Sequence, residues 1–99
     1  MAGTADSVDK DNEALRLRRE GRSFSAIARE LSLGRAVDAN EAFNRALRGC
    51  PEQERETVVA EELERLDRLE RSAGPSGDEV AAKKRARAIK GLRARLLRD

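Results

Sequence analysis

Apolar residues recur at three- and four-residue steps along most of the chain, and the breaks between these runs fall on Gly, Ser and Pro. In the stretch Ser23 to Arg48, Phe24, Ile27, Ala28 and Leu31 share one helical face, with Ser23 placed to cap the start and Ser32-Leu33-Gly34 to end it. A second helix is predicted from Arg35 to Arg48, with Ala36, Ala39, Phe43, Ala46 and Leu47 on one face. That phase turns Asp38, Glu41, Arg45 and Arg48 outward.

This rhythm, with the small Ala28 allowing close approach, is that of a helix-turn-helix. The same residues also suit an ordinary helical hairpin without nucleic acid. Upstream, residues 1–11 lack periodicity and read as a disordered leader. A helix then runs from Asn12 to Glu20, with Ala14, Leu15 and Leu17 inward and Arg16, Arg18 and Arg19 outward, and Gly21 ends it. Downstream, Gly49-Cys50-Pro51 breaks the pattern, and Pro51, Glu52 and Glu54 suit the first turn of a long helix reaching Arg71. Val59, Leu63, Leu66 and Leu69 form a narrow seam on it, suited to packing back or to pairing with a second subunit. Glu61 to Arg65, Glu64 to Arg68 and Asp67 to Arg71 stand in the favourable acid-first order on its exposed side.

Residues 72–77, SAGPSG, form a flexible joint, and Asp78 is placed to cap a last helix over Glu79 to Arg98. There Ala82, Ile89, Leu92 and Leu96 share one face, while Lys83, Lys84, Arg87, Lys90 and Arg95 crowd the other. The expected division is therefore a leader (1–11), a helix-turn-helix unit (12–49), an acidic helix suited to dimerisation (50–71), a joint (72–77) and a basic amphipathic helix (78–99). The fold class is all-α, since no segment alternates with the period of a strand.

Composition limits what such a chain can do. With 99 residues, 38% hydrophobic, two Phe and no Trp or Tyr, the core is small, so a homodimer is expected as a source of extra burial. A single cysteine rules out an internal disulfide, and the absence of histidine rules out Cys/His zinc sites and His-based catalysis. No phosphate-binding glycine loop or catalytic carboxylate pair is recognisable. Neither an enzymatic activity nor a cofactor or metal is therefore expected. Lacking an apolar run near membrane length and a signal-peptide core, the chain is expected in the cytoplasm, at the nucleoid.

Charge is segregated along the chain. Residues 1–51 carry nine basic and eight acidic side chains, 52–70 three and eight, and 71–99 nine and three. Anion binding is therefore expected in particular places, because a local field steers a polyanion more than the net charge of +2 does. Candidate DNA contacts are Arg16, Arg19 and Arg22 before the turn, and Arg35, Asn40, Asn44, Arg45 and Arg48 on the helix after it. The arginines before the turn also suit a solvated face paired with Glu13 and Glu20. Asp38 and Glu41 would repel phosphates, which predicts weak base discrimination, although Asp38 also suits a first helical turn. Lys83, Lys84, Arg87 and Lys90 suit DNA phosphates, an acidic protein, packing against the acidic middle helix of the chain itself, or an anionic membrane, and the lack of Trp or Phe on the apolar face weighs against the membrane. Single-strand or RNA binding by stacking is not expected from two Phe that suit the core.

The run AIARELSLGRA, followed by ELERLDRLE and GDEVAAKKRARAIKGLRARLLRD, resembles small helix-turn-helix proteins of actinobacteria and their phages, including phage terminase small-subunit-like proteins. The resemblance covers roughly Ala14 to the end. It implies DNA binding through Ile27 to Arg48 and a helical C-terminal part for self-association. Such proteins usually carry an apolar residue where this chain has Asp38. The expected function is thus a small dimeric protein binding double-stranded DNA with modest sequence specificity, as a nucleoid-associated protein or transcriptional regulator. The competing expectation is an adaptor whose acidic middle or basic tail recruits a protein partner, such as a packaging enzyme or RNA polymerase.

Overall fold

The computed structural model describes residues 3–72 and 79–98, and every regular element in them is helical. Five helices follow one another: α1 (Gly3–Arg19), α2 (Phe24–Glu30), α3 (Ala36–Arg48), α4 (Glu52–Ser72) and α5 (Glu79–Leu96). Residues Met1–Arg55 and Glu56–Asp99 form two compact units. The expected joint and the Asp78 cap lie outside the described residues, apart from Ser72, which ends α4.

In the first unit α1 and α2 both pack on α3. Ala14, Leu17, Ile27, Ala39 and Phe43 are almost wholly buried, and the rings of Phe24 and Phe43 meet edge to face at 5.6 Å. Full burial of each large apolar side chain contributes about 1.5–3 kcal/mol, so this cluster dominates the unit. Arg18, expected on the outer face of α1, is 5% exposed. Its guanidinium lies 4.0 Å from the Phe24 ring centroid and donates to the Arg22 carbonyl at 3.1 Å. A long stem over an aromatic ring lets a cation belong to the edge of a core.

The turns explain the helix ends. After α1, Gly21 takes a φ of 102°, with hydrogen bonds from Arg22 N to Leu17 O and from Gly21 N to Arg18 O. After α2, the same double closure joins Leu33 N to Ala28 O at 2.8 Å and Ser32 N to Arg29 O at 3.4 Å. Here Ser32 takes the left-handed conformation, φ 58°, so Ser32 and not Gly34 reverses the chain. Ser23 caps α2 by accepting from Ala26 N at 3.1 Å. Asp38 accepts from Arg35 N at 2.9 Å, closing the start of α3.

Residues 3–11, expected to be an irregular leader, are helical. Once Ala14 and Leu17 anchor the second half of α1, each preceding residue extends the helix at low cost, and no Pro interrupts it. Asp11, in the expected leader, is buried and ties the helix to α3 through Arg45.

In the second unit α4 turns Val58, Glu62 and Leu66 inward. The expected seam is thus rotated. Val59 and Leu63 are half-buried, Leu66 is wholly buried and Leu69 is 44% exposed. The interior of this helix includes a carboxylate, Glu62, bonded to Arg65 at 2.9 Å, which an apolar pattern cannot register. Among the expected acid-first pairs Glu64 and Arg68 stand 3.7 Å apart, but Arg65 bonds Glu62 and Asp67 bonds Arg93 of α5. On α5, Ile89 and Leu96 are buried and Ala82 and Leu92 half-buried, as the pattern predicts.

Candidate nucleic-acid interface

The expected contacts fall into two groups that the structure treats differently. On α3, Asn40 and Asn44 are 3% and 6% exposed, and Asn44 Nδ2 donates to Asn40 Oδ1 at 3.3 Å. Their amides are spent inside and are not offered to base edges. Four residues apart on one face, they looked outward because the apolar pattern defines only one buried side. Ala42 is buried on a different flank, so seven of the thirteen residues of α3 are inside.

The exposed strip of α3 is Glu41, Arg45 and Arg48. The Arg45 guanidinium forks onto both oxygens of Asp11 at 2.9 and 3.0 Å. That hydrogen bond raises the Arg45 pKa further above its ordinary value. Arg48 is exposed with no acidic partner among the described residues.

The arginines before the turn are paired as well. Arg16 binds Glu13 and stands 2.5 Å from Glu20, Arg22 binds Glu30, and Arg19 lies 3.9 Å from Glu54. Arg35, with a largely exposed side chain, lies 3.7 Å from Asp38. Surface pairs of this kind contribute at most about 1 kcal/mol and exchange readily, so they lower the local field without abolishing it.

Helix α5 has the opposite character. Lys83, Lys84, Arg87 and Lys90 are all exposed, and none has a carboxylate partner among the described residues. Lys83, Arg87 and Lys90 stand at four- and three-residue steps, so they form one line about 10 Å long at 1.5 Å per residue. The small residues Ala86 and Ala88 are exposed beside it, and Glu79, at the first turn, is the one acidic residue of α5. Arg95, expected on this face, is half-buried.

Arg93 differs from its neighbours. Its Nη2 donates to Asp67 Oδ1 at 2.6 Å and to Glu70 Oε1 at 3.0 Å, both on α4. The hydrogen bonds it donates, to Glu70 first and Asp67 second, raise its pKa. The segregation of charge into an acidic middle and a basic tail allows such a contact, but no sequence pattern names the residues that make it.

Cys50 is half-buried, with Sγ donating to the Ala46 carbonyl at 3.4 Å, and burial followed by the charge of Glu54 raises its thiol pKa. A raised pKa makes for a poor nucleophile near neutral pH. Among the described residues no cluster of three metal-ligating side chains occurs, and no helix is long and apolar enough to cross a membrane.

Comparison with protein-family models, with curated proteins and with solved structures finds no match in any of the three.

Proposed function

We propose that this chain binds double-stranded DNA with modest sequence specificity, chiefly through phosphate contacts from α5. The supporting observation is the line of exposed cations Lys83, Arg87 and Lys90, flanked by Lys84, without acidic partners among the described residues. Unneutralised cations at fixed spacing release counterions from a duplex, and this supplies affinity that does not depend on sequence. In this reading α2, its turn and α3 have the connectivity of a helix-turn-helix, but α3 serves as a packing element with Arg48 and Arg35 as auxiliary phosphate contacts. Low base discrimination suits an architectural, nucleoid-associated role better than a site-specific regulator. A homodimer through α4 would draw on Leu69 and the exposed edges of Val59 and Leu63, because Leu66 is already buried.

The test is the triple substitution Lys83→Ala, Lys84→Ala, Arg87→Ala, with affinity measured on several unrelated duplexes across a salt series. Loss of three phosphate contacts should flatten the logarithmic salt slope by roughly 2.7 units and weaken every duplex alike. Unchanged affinity would remove α5 from the interface. Failure of the wild-type chain to bind any duplex, with capture of an acidic protein instead, would favour the adaptor reading.

A further inference from the structure

The basic line on α5 is only as useful as the rotation that presents it. Most of a helix's stability in a protein comes from tertiary packing of its apolar face, and Gly91 in the interior of α5 lowers its intrinsic propensity. This one also sets like charges three and four residues apart, Lys83 with Arg87, Lys84 with Arg87, and Arg87 with Lys90, each pair weakening the helix. Its order therefore depends on what holds its other side. Ile89 and Leu96 are buried there. Beside them, between the buried side and the basic line, Arg93 reaches two carboxylates of α4 from a single nitrogen, at 2.6 and 3.0 Å.

We propose that Arg93 is a positioning residue for the DNA contact: by bridging Asp67 and Glu70 it fixes the rotation of α5 that turns Lys83, Arg87 and Lys90 outward. This rests on the DNA-binding reading of α5. Apolar contacts are non-directional and tolerate a helix rolling on its neighbour, whereas a guanidinium held by two carboxylates does not. With the bridge intact, the cations enter the complex already ordered. Without it, binding must supply the ordering, and affinity falls by that cost.

The decisive variant is Asp67→Asn with Glu70→Gln, which leaves every cation in place and makes the chain more positive by two charges. Long-range attraction alone would tighten DNA binding. Positioning by Arg93 instead weakens it, by about three- to fivefold on every duplex, from the size of partly exposed ion pairs. Affinity is measured well below the melting temperature, with helix content followed by circular dichroism. Arg93→Lys, which keeps a cation able to reach one carboxylate, should bind within about twofold of wild type, whereas Arg93→Gln, which breaks the bridge and also removes a positive charge, should weaken binding at least as much as the double variant. If the double variant loses helix content, Asp67→Asn and Glu70→Gln singly, each retaining one partner, should show intermediate losses. Equal or tighter binding by a fully helical double variant overturns the inference and leaves α5 as the DNA contact. A wild-type chain that binds no duplex overturns the DNA reading, and this inference falls with it.

Discussion

Helix α3 buries seven of its thirteen residues, whereas α5 buries two of eighteen, Ile89 and Leu96. Both helices carry cations, yet Arg45 of α3 is forked onto Asp11 while Lys83, Arg87 and Lys90 of α5 have no acidic partner among the described residues. A helix buried on most sides has a single exposed strip, and on α3 that strip includes Glu41. The difference teaches that a helix whose sequence spacing suits a groove reader can be the organising beam of its unit, while cations without acidic partners gather on a helix that buries little of its surface.

The largest expected effect tests α3 as that beam. Phe43→Ala removes a ring that is 1% exposed and its edge-to-face contact with Phe24, and should cost about 3–5 kcal/mol by urea denaturation. A loss below 1 kcal/mol would show that α3 is not the centre of the packing. Next comes Arg45→Ala, which leaves the mostly buried Asp11 carboxylate without its fork. The expected cost is about 1 kcal/mol, discounted for the half-exposed guanidinium, with the salt slope of DNA binding unchanged. A slope shallower by about 0.9 would mean that α3 touches a phosphate and that the contrast with α5 is overstated.

A smaller effect is expected at the turn that aims α3. Ser32→Gly relieves a side chain held at φ 58° and should stabilise the chain by about 0.5–1 kcal/mol, read as a rise in Tm. The smallest concerns pH. The hydrogen bond from Arg16 lowers the Glu13 pKa below its ordinary value. Its contribution is therefore present above the unfolded value and lost as pH falls through the lowered folded one. Glu13→Gln should remove that part of the acid loss, visible as a slightly flatter dependence of Tm on pH below the ordinary carboxylate range. A steeper dependence in the variant would contradict the pairing.

Much of the architecture was legible because helical periodicity, caps and breakers are local. Ser23, the Gly21 stop, the bounds of α2 and α3 within a residue or so, and the split of α5 into an apolar and a basic face all follow from neighbours in the chain. The candidate interface was legible only in part. Lys83, Lys84, Arg87 and Lys90 stand exposed where the pattern put them. Asn40 and Asn44 do not, because whether a polar side chain faces water depends on how many neighbours its helix has. The buried side of α4 departs from the apolar seam for a related reason: Glu62 belongs to it and Leu69 is exposed.

By itself the sequence determined that the described residues from 12 onward are largely helical, where those helices stop, and that positive charge gathers in residues 71–99, since each depends on spacing along a single strand of residues. Only the tertiary structure decided which cations are neutralised. Asp11 meets Arg45 from 34 positions away, and Arg93 meets Asp67 and Glu70 from 26 and 23 positions away. Coulombic and hydrogen-bond energies depend on separation in space and not along the chain, so the charge available to a partner is fixed only when the helices are docked.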